Sequence, residues 1–240
     1  MRKRGIIFER YGGKYGEFEY NTALYGWTLT GLKLSDPEQK TNYVEKPGGD
    51  GSWDLSTTMT DGHPVYKDRT LTATFECSDG TRDEREELID GMVNNLDGMR
   101  CFIYLPDKPN YYLDGRIKVA VDYSDLAHAA VTITAVCDPW FTRTIATFPD
   151  LHATATAKSI TVRNNGRKPV VPEISVIGTN ADVTLTYHAG DPTDASSTYS
   201  VSMTAGNYTW PELVLVPGDN YLTYMGSGMI RLVFWEAVLR

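Results

Sequence analysis

Alternation with a period of two is the feature that most constrains this chain. In Arg69–Cys77, Leu71, Ala73, Phe75 and Cys77 share one side, and Thr70, Thr72, Thr74 and Glu76 share the other. Successive side chains of a strand point to opposite faces, so this segment predicts a half-buried strand of an antiparallel sheet. The same texture recurs before it, in Ile6–Phe8, Trp27–Leu32 and Trp53–Leu55, and after it, in Cys101–Leu105, Gly115–Val121 and Ala130–Cys137. Gly12-Gly13, Gly26, Asp36-Pro37, Pro47–Gly51 and Asp61–Pro64 supply turn signals between these runs. The 15 Tyr and 5 Trp, with frequent Thr and Val, suit pleated and half-buried surfaces.

One stretch breaks the pattern. Across 81–97, Leu88, Met92 and Leu96 recur every four residues, joined by Ile89 and Val93, which predicts one apolar stripe of a helix. Thr81 and Glu84 have the spacing of a capping box, and Gly98 supplies the stop. Asp83, Glu84, Glu86 and Glu87 crowd the first turns, where the positive end of a helix favours them. The acidic run is therefore helix chemistry and not a metal site. Residues 1–148 are expected to form an α+β domain with one helix across a largely antiparallel sheet.

The texture changes after Asp138-Pro139-Trp140. Residues 142–158 are rich in Thr and Ala and read as a linker and the first edge of a second domain. From Ser159 onward, short strands are expected at 159–163, 172–177, 182–188, 198–203, 212–216, 220–224 and 229–235. Turns at Asn164-Asn165-Gly166, Gly178-Thr179-Asn180, Ala205-Gly206-Asn207 and Pro217–Asn220 separate them. Strands recurring roughly every 8–12 residues, without a helix, predict a β-sandwich over 149–240. A length of 240 residues suits two domains.

The net charge is −8, of which residues 1–150 hold −7. No Lys/Arg cluster interleaves with aromatics, so no nucleic-acid partner is expected. Arg2-Lys3-Arg4 is too short to matter, and Ile6-Ile7-Phe8 ends at Glu9, short of the roughly 7–15-residue core of a signal peptide. No run has the length of a membrane span, so synthesis in the cytoplasm and no membrane contact are expected. Cys77, Cys101 and Cys137 are odd in number and lie in apolar strand-like contexts, which reads as buried free thiols.

Chemistry-bearing patterns are scarce. His63, His128, His152 and His188 are scattered, without the i, i+3 or i+4 partners of a zinc site. No G-x-S-x-G elbow occurs. Gly48-Gly49-Asp50-Gly51 lacks the Lys-Ser/Thr of a phosphate loop and reads as a tight turn. Asp50 and Asp54 lack the distal Glu of a calcium loop. A glycosidase pair such as Glu76 and Asp79 needs a separation that sequence does not supply. No catalytic residue, metal or cofactor is expected. Tyr187, Tyr199, Tyr208, Trp210, Tyr221 and Tyr224 are able to stack on sugar rings, although such residues at strand positions more often fill a core or an interface. Tyr208 and Trp210 are the candidates for sugar contact.

An ordered set of blocks resembles the phage distal tail protein family. Gly49, Asp50, Gly51, Trp53, Asp54 and Leu55, followed by Tyr66, Asp68 and Arg69, resemble the family's G-x-D-G-x-x-D-L segment and Y-x-[ND]-R strand. Gly98-Met99-Arg100, Ile103, Pro109–Tyr112, Gly115 and Arg116 resemble its second block, and Asp138-Pro139-Trp140 its close of the N-terminal domain. Asn164-Asn165-Gly166 with Pro169 and Pro172 resembles the start of its galectin-like sandwich. Gly218-Asp219-Asn220 with Gly226-Ser227-Gly228 resembles its final hairpin.

The resemblance implies a homohexameric ring at the tail tip, closed by the N-terminal domains with the galectin-like domains outward. It implies that the ring joins the tail tube to the tail-tip protein and anchors receptor-binding or baseplate proteins, with no catalytic residues. The second domain lacks the long insertions of some members. A carbohydrate-binding module on a virion or cell surface is the alternative reading; a cell-wall hydrolase has only scattered acids behind it.

Overall fold

A computed structural model describes residues 5–10, 18–60, 62–123, 129–145, 150–188 and 198–240. Arg2-Lys3-Arg4, Gly12-Gly13, Asp61, His128 and the expected boundary after residue 148 lie outside the described residues. The chain divides into two compact units, Met1–Phe141 and Thr142–Arg240. Among the described residues it is mostly β with one helix, the class the alternation predicts.

The first unit contains β1 (Ile7–Arg10), β2 (Phe18–Asn21), β3 (Thr28–Leu34), β4 (Tyr43–Glu45), β5 (Ser52–Asp54), β6 (Arg69–Cys77), α1 (Arg82–Leu96), β7 (Arg100–Tyr104), β8 (Tyr112–Asp122) and β9 (Ala129–Cys137). Its main sheet is antiparallel throughout, in the order β2-β1-β7-β8-β9-β6-β3. The alternation of β6 sets its facing: Leu71, Ala73 and Phe75 are fully buried, whereas Thr70 and Glu76 are exposed. Met92 and Leu96 bring the apolar stripe of α1 into the same core, and the helix contacts β8 and β9. The capping box forms: Thr81 Oγ1 accepts from the Glu84 N–H at 3.3 Å, and Glu84 Oε2 accepts from the Thr81 N–H at 2.6 Å. Trp27 is fully buried and donates its indole N–H to the Tyr20 hydroxyl at 3.1 Å, so neither polar tip is stranded in the core.

β10 (Phe141–Ile145) runs across the division in the chain. The second unit continues with β11 (Leu151–Ala153), β12 (Lys158–Asn164), β13 (Glu173–His188), β14 (Thr198–Thr204), β15 (Gly206–Thr209) and β16 (Gly218–Val238). The segments 172–177 and 182–188, expected as two strands, are one long strand, and so are 220–224 and 229–235. β13 and β16 pair antiparallel along their length, but residues 178–181 stand opposite Gly228 alone. This bulge bends the pair instead of reversing it. Gly178, Asn180, Gly226 and Gly228 take positive φ there, the local signature that a turn also shows. Residues 212–216 form only an isolated bridge, Val170 to Leu215, in place of the expected strand.

β12 and β11 extend one edge of β16, while β14 and β15 extend the free edge of β13. Ile174 and Val176 from one half of β13, and Val183 and Leu185 from the other, enter one core with Leu222, Leu232 and Phe234. Both halves thus enclose a single sandwich-type interior. Asn220 closes one end of it: its amide donates to the carbonyls of Val216, Val162 and Gly218, and its Oδ1 accepts from the Val216 N–H.

Candidate functional site

The residues singled out by sequence fall into three places. Gly49, Asp50, Gly51, Trp53 and Asp54 belong to the β4–β5 hairpin, whose register sets Val44 against Trp53. Gly48 and Gly51 adopt φ of 71° and 76°, which closes the turn where a side chain would strain the backbone. The hairpin forms its own two-stranded sheet, separate from the main one. Its apolar side chains therefore find little cover: Trp53 is 51% exposed, Tyr43 61%, and Met59 beyond it 97%. Asp54 is occupied locally. Its carboxylate accepts from the Ser56 N–H at 2.9 Å, and hydrogen bonding to Ser56 holds it below the usual carboxylate range.

Tyr66 and Arg69 form the second group. Arg69 is buried, donates Nε–H to the Ser35 carbonyl at 2.7 Å and lies over the Phe141 ring at 5.4 Å. Lys108 approaches the same ring at 4.3 Å. The Tyr66 ring meets Trp140 edge-on at 5.4 Å. These contacts tie the start of β6 to the end of the first unit, so the matched motif residues there hold the frame together.

The third group lies along β8. Arg100 grips Asp114 through two hydrogen bonds of 2.7 and 3.0 Å. Arg116 donates to the Gly98 carbonyl at 2.7 Å, bracing the end of α1. The Tyr112 ring lies 4.4 Å from Phe102 and 5.8 Å from Tyr104. Gly115 sits opposite Cys137, where an added Cβ would stand 2.6 Å from Sγ.

The second and third groups adjoin across β9, where Arg69 and Gly115 both stand opposite Cys137 and Arg100 reaches Asp138 at 3.5 Å. Among the described residues, no three or more His, Cys, Asp or Glu side chains gather to hold a metal ion. Among the same residues, no helix is long and apolar enough to cross a membrane. Burial pushes the Cys101 and Cys137 thiols up to about 11 and about 12, which keeps them protonated and unreactive near neutral pH. In the second unit, Tyr208 and Trp210 are half-buried against the core, and the Tyr208 hydroxyl donates to the Thr204 carbonyl at 2.9 Å.

Sequence reasoning missed Glu236, which is almost fully buried. It accepts from the Asn165 backbone N–H and side-chain amide at 2.9 and 3.0 Å, and pairs with Arg143. Burial pushes its carboxyl up, but the bonds from Asn165 and Arg143 outweigh this and hold it below the ordinary value. The available signal was a lone acid inside the apolar run Phe234–Val238.

The fold is that of phage tail hub and baseplate proteins. It superposes on the SPP1 Dit (gp 19.1) protein with a TM-score of 0.65 and 17% identity, covering 96% of this chain and 98% of that one. A chain of the phage p2 baseplate, in its activated conformation with Sr, matches with a TM-score of 0.52 and 8% identity over 97% and 98%. No family model and no curated protein matches the sequence. The expected distal-tail-protein fold is thus the fold observed, along nearly the whole chain.

Proposed function

We propose that this chain is a structural, non-catalytic phage or prophage distal tail protein at the tip of the virion tail. Its copies form a hexameric ring that joins the tail tube to the tail-tip protein and the receptor-binding apparatus. Residues 1–148 close the ring, and residues 149–240 form its galectin-like sandwich. The observation that carries this reading is the full-length match to SPP1 Dit, described as a paradigm of the hub adsorption apparatus in phages that infect Gram-positive bacteria. The contacts of the motif residues support it, because Arg69 and Arg116 bond backbone carbonyls and Arg100 pairs with Asp114, which braces a scaffold.

A closed ring needs two different patches on each subunit, one meeting the other on the next copy. The β4–β5 hairpin suits one of them. Val44 and Trp53, paired across the hairpin, present apolar surface on one face of this small sheet, and Tyr43 presents it on the other. Exposed apolar patches of this kind mark interaction sites, and burying them contributes about 25 cal/mol per Å².

The test is the solution mass of full-length protein by light scattering, with negative-stain imaging of the main peak. The expected result is a hexamer mass with ring-shaped particles, and a shift to smaller species in the Tyr43→Ser/Trp53→Ser variant. A monomer at every concentration would overturn self-assembly. Unchanged rings in the double variant would remove the hairpin from the interface.

A further inference from the structure

The sequence contains one Asn-Gly pair, Asn165-Gly166, and the second unit has a separate reason for each residue. Gly166 follows the end of β12 and lies against the end of β16. A Cβ there would stand 2.8 Å from the Ala237 nitrogen, 2.9 Å from Asn164 Oδ1 and 3.0 Å from the Ala237 carbonyl oxygen, so backbone excludes a larger residue. Asn165 meets a different demand. Glu236 is almost fully buried and ionised at neutral pH. Asn165 supplies it with two donors, the backbone N–H at 2.9 Å and the side-chain amide at 3.0 Å. A buried carboxylate short of donors is costly, which favours a donor side chain at 165.

Asparagine followed by glycine is the dipeptide most prone to lose its side-chain amide, because no Cβ shields the following nitrogen. The backbone nitrogen of Gly166 gives up its proton and forms a bond to Cγ of Asn165. The bond from Cγ to Nδ2 breaks, and ammonia leaves with that proton. Solvent water then opens the cyclic imide, at one carbonyl to give aspartate and at the other to give isoaspartate. The folded chain restrains each participant. Gly166 donates its N–H to Asn164 Oδ1 at 2.8 Å. Asn165 Oδ1 accepts from Arg163 Nε at 3.2 Å while Nδ2 is bonded to Glu236. The Arg167 N–H donates to the Ala237 carbonyl at 2.7 Å and fastens the turn to β16.

We propose that Asn165 is a deamidation site gated by the fold: the reaction proceeds when the turn 164–167 parts from the end of β16, and its product opposes their rejoining. An aspartate side chain cannot donate at neutral pH, so it withdraws one bond from Glu236 and sets a second carboxylate beside it. Arg163 is already shared with Asp219, 3.8 Å away. An isoaspartate lengthens the main chain by a methylene where Gly166 has no room to shift. The modification therefore marks, irreversibly, a copy whose second unit has opened. The inference does not depend on ring assembly.

The experiment incubates full-length protein at mildly alkaline pH, folded in buffer or unfolded in urea, and follows its asparagines by peptide mapping with mass spectrometry. In urea, Asn165 is expected to convert before any other asparagine. In buffer its conversion is expected to be at least about tenfold slower, because it waits on local opening. Asn165→Asp, which installs the product, is expected to lower the urea midpoint. Glu236→Gln in the same chain is expected to recover part of that loss, since one of the two charges is removed. Equal rates in buffer and urea would overturn the gating, and another asparagine converting first in urea would overturn the site. An unchanged or higher midpoint for Asn165→Asp would overturn the opposition between product and fold.

Discussion

At Gly115 the backbones of β8 and β9 come closer than a side chain permits. A Cβ there would meet Cys137 Sγ at 2.6 Å, the Val136 carbonyl at 3.1 Å and Cys137 Cα at 3.3 Å. The first of these is a side-chain atom and the others are backbone, so movement of the thiol alone cannot make room. Overpacking of a closed interior typically costs about 1–3 kcal/mol. Gly115→Ala is accordingly expected to lower stability by about that amount, read as a fall in the urea midpoint with an unchanged slope. Cys137→Ala added to it removes Sγ and is expected to restore part of the loss, a coupling that a double-mutant cycle measures directly. Full additivity of the two substitutions would contradict the steric account. The same logic explains why Gly115, among the motif glycines, marks close packing of two strands.

Elements differ in how strongly local sequence specifies them, and α1 shows both sides of this. Gly91 lies in its interior, and a Cβ added there meets nothing within 4 Å. A helix-interior glycine destabilises by roughly 0.5–1 kcal/mol relative to alanine. Gly91→Ala is expected to raise the unfolding midpoint by a corresponding amount, and a lower midpoint would show that the position needs its glycine. The helix itself was legible because Thr81, Glu84 and the four-residue apolar spacing all act within a few turns of chain. The face of β6 was legible for the same reason. The long strands β13 and β16 were not. Gly178 and Gly226 give one local signal whether the chain reverses or bends, and only the partner opposite decides which. A Cβ on Gly226 would lie 2.1 Å from the Asp182 carbonyl oxygen, a neighbour 44 residues away in sequence by subtraction of the two positions. Arg69 could be named from its motif, but its position over Phe141 depends on where the first unit ends its fold.

Charge acts at the scale of the whole molecule, and here it opposes assembly. Each chain carries a net −8, and −6 of it falls within residues 1–148, the part proposed to close the ring. Copies brought together there repel, while the apolar hairpin surfaces attract over contact distance only. The balance depends on screening. The Debye length is about 8 Å at physiological ionic strength, so charges spread around a wide ring scarcely interact beyond nearest neighbours. At about 0.01 M it lengthens to about 30 Å, and each acidic unit then senses most of the next. Lower salt is therefore expected to loosen the ring, seen as a smaller weight-average mass by light scattering at fixed protein concentration. Restoring salt should restore the mass, since only screening has changed. An equal mass at low and physiological ionic strength would show that acidic groups at the contact are paired across it. The repulsion would then be absent, and the interface would have to place Lys or Arg of one copy against the carboxylates of the next.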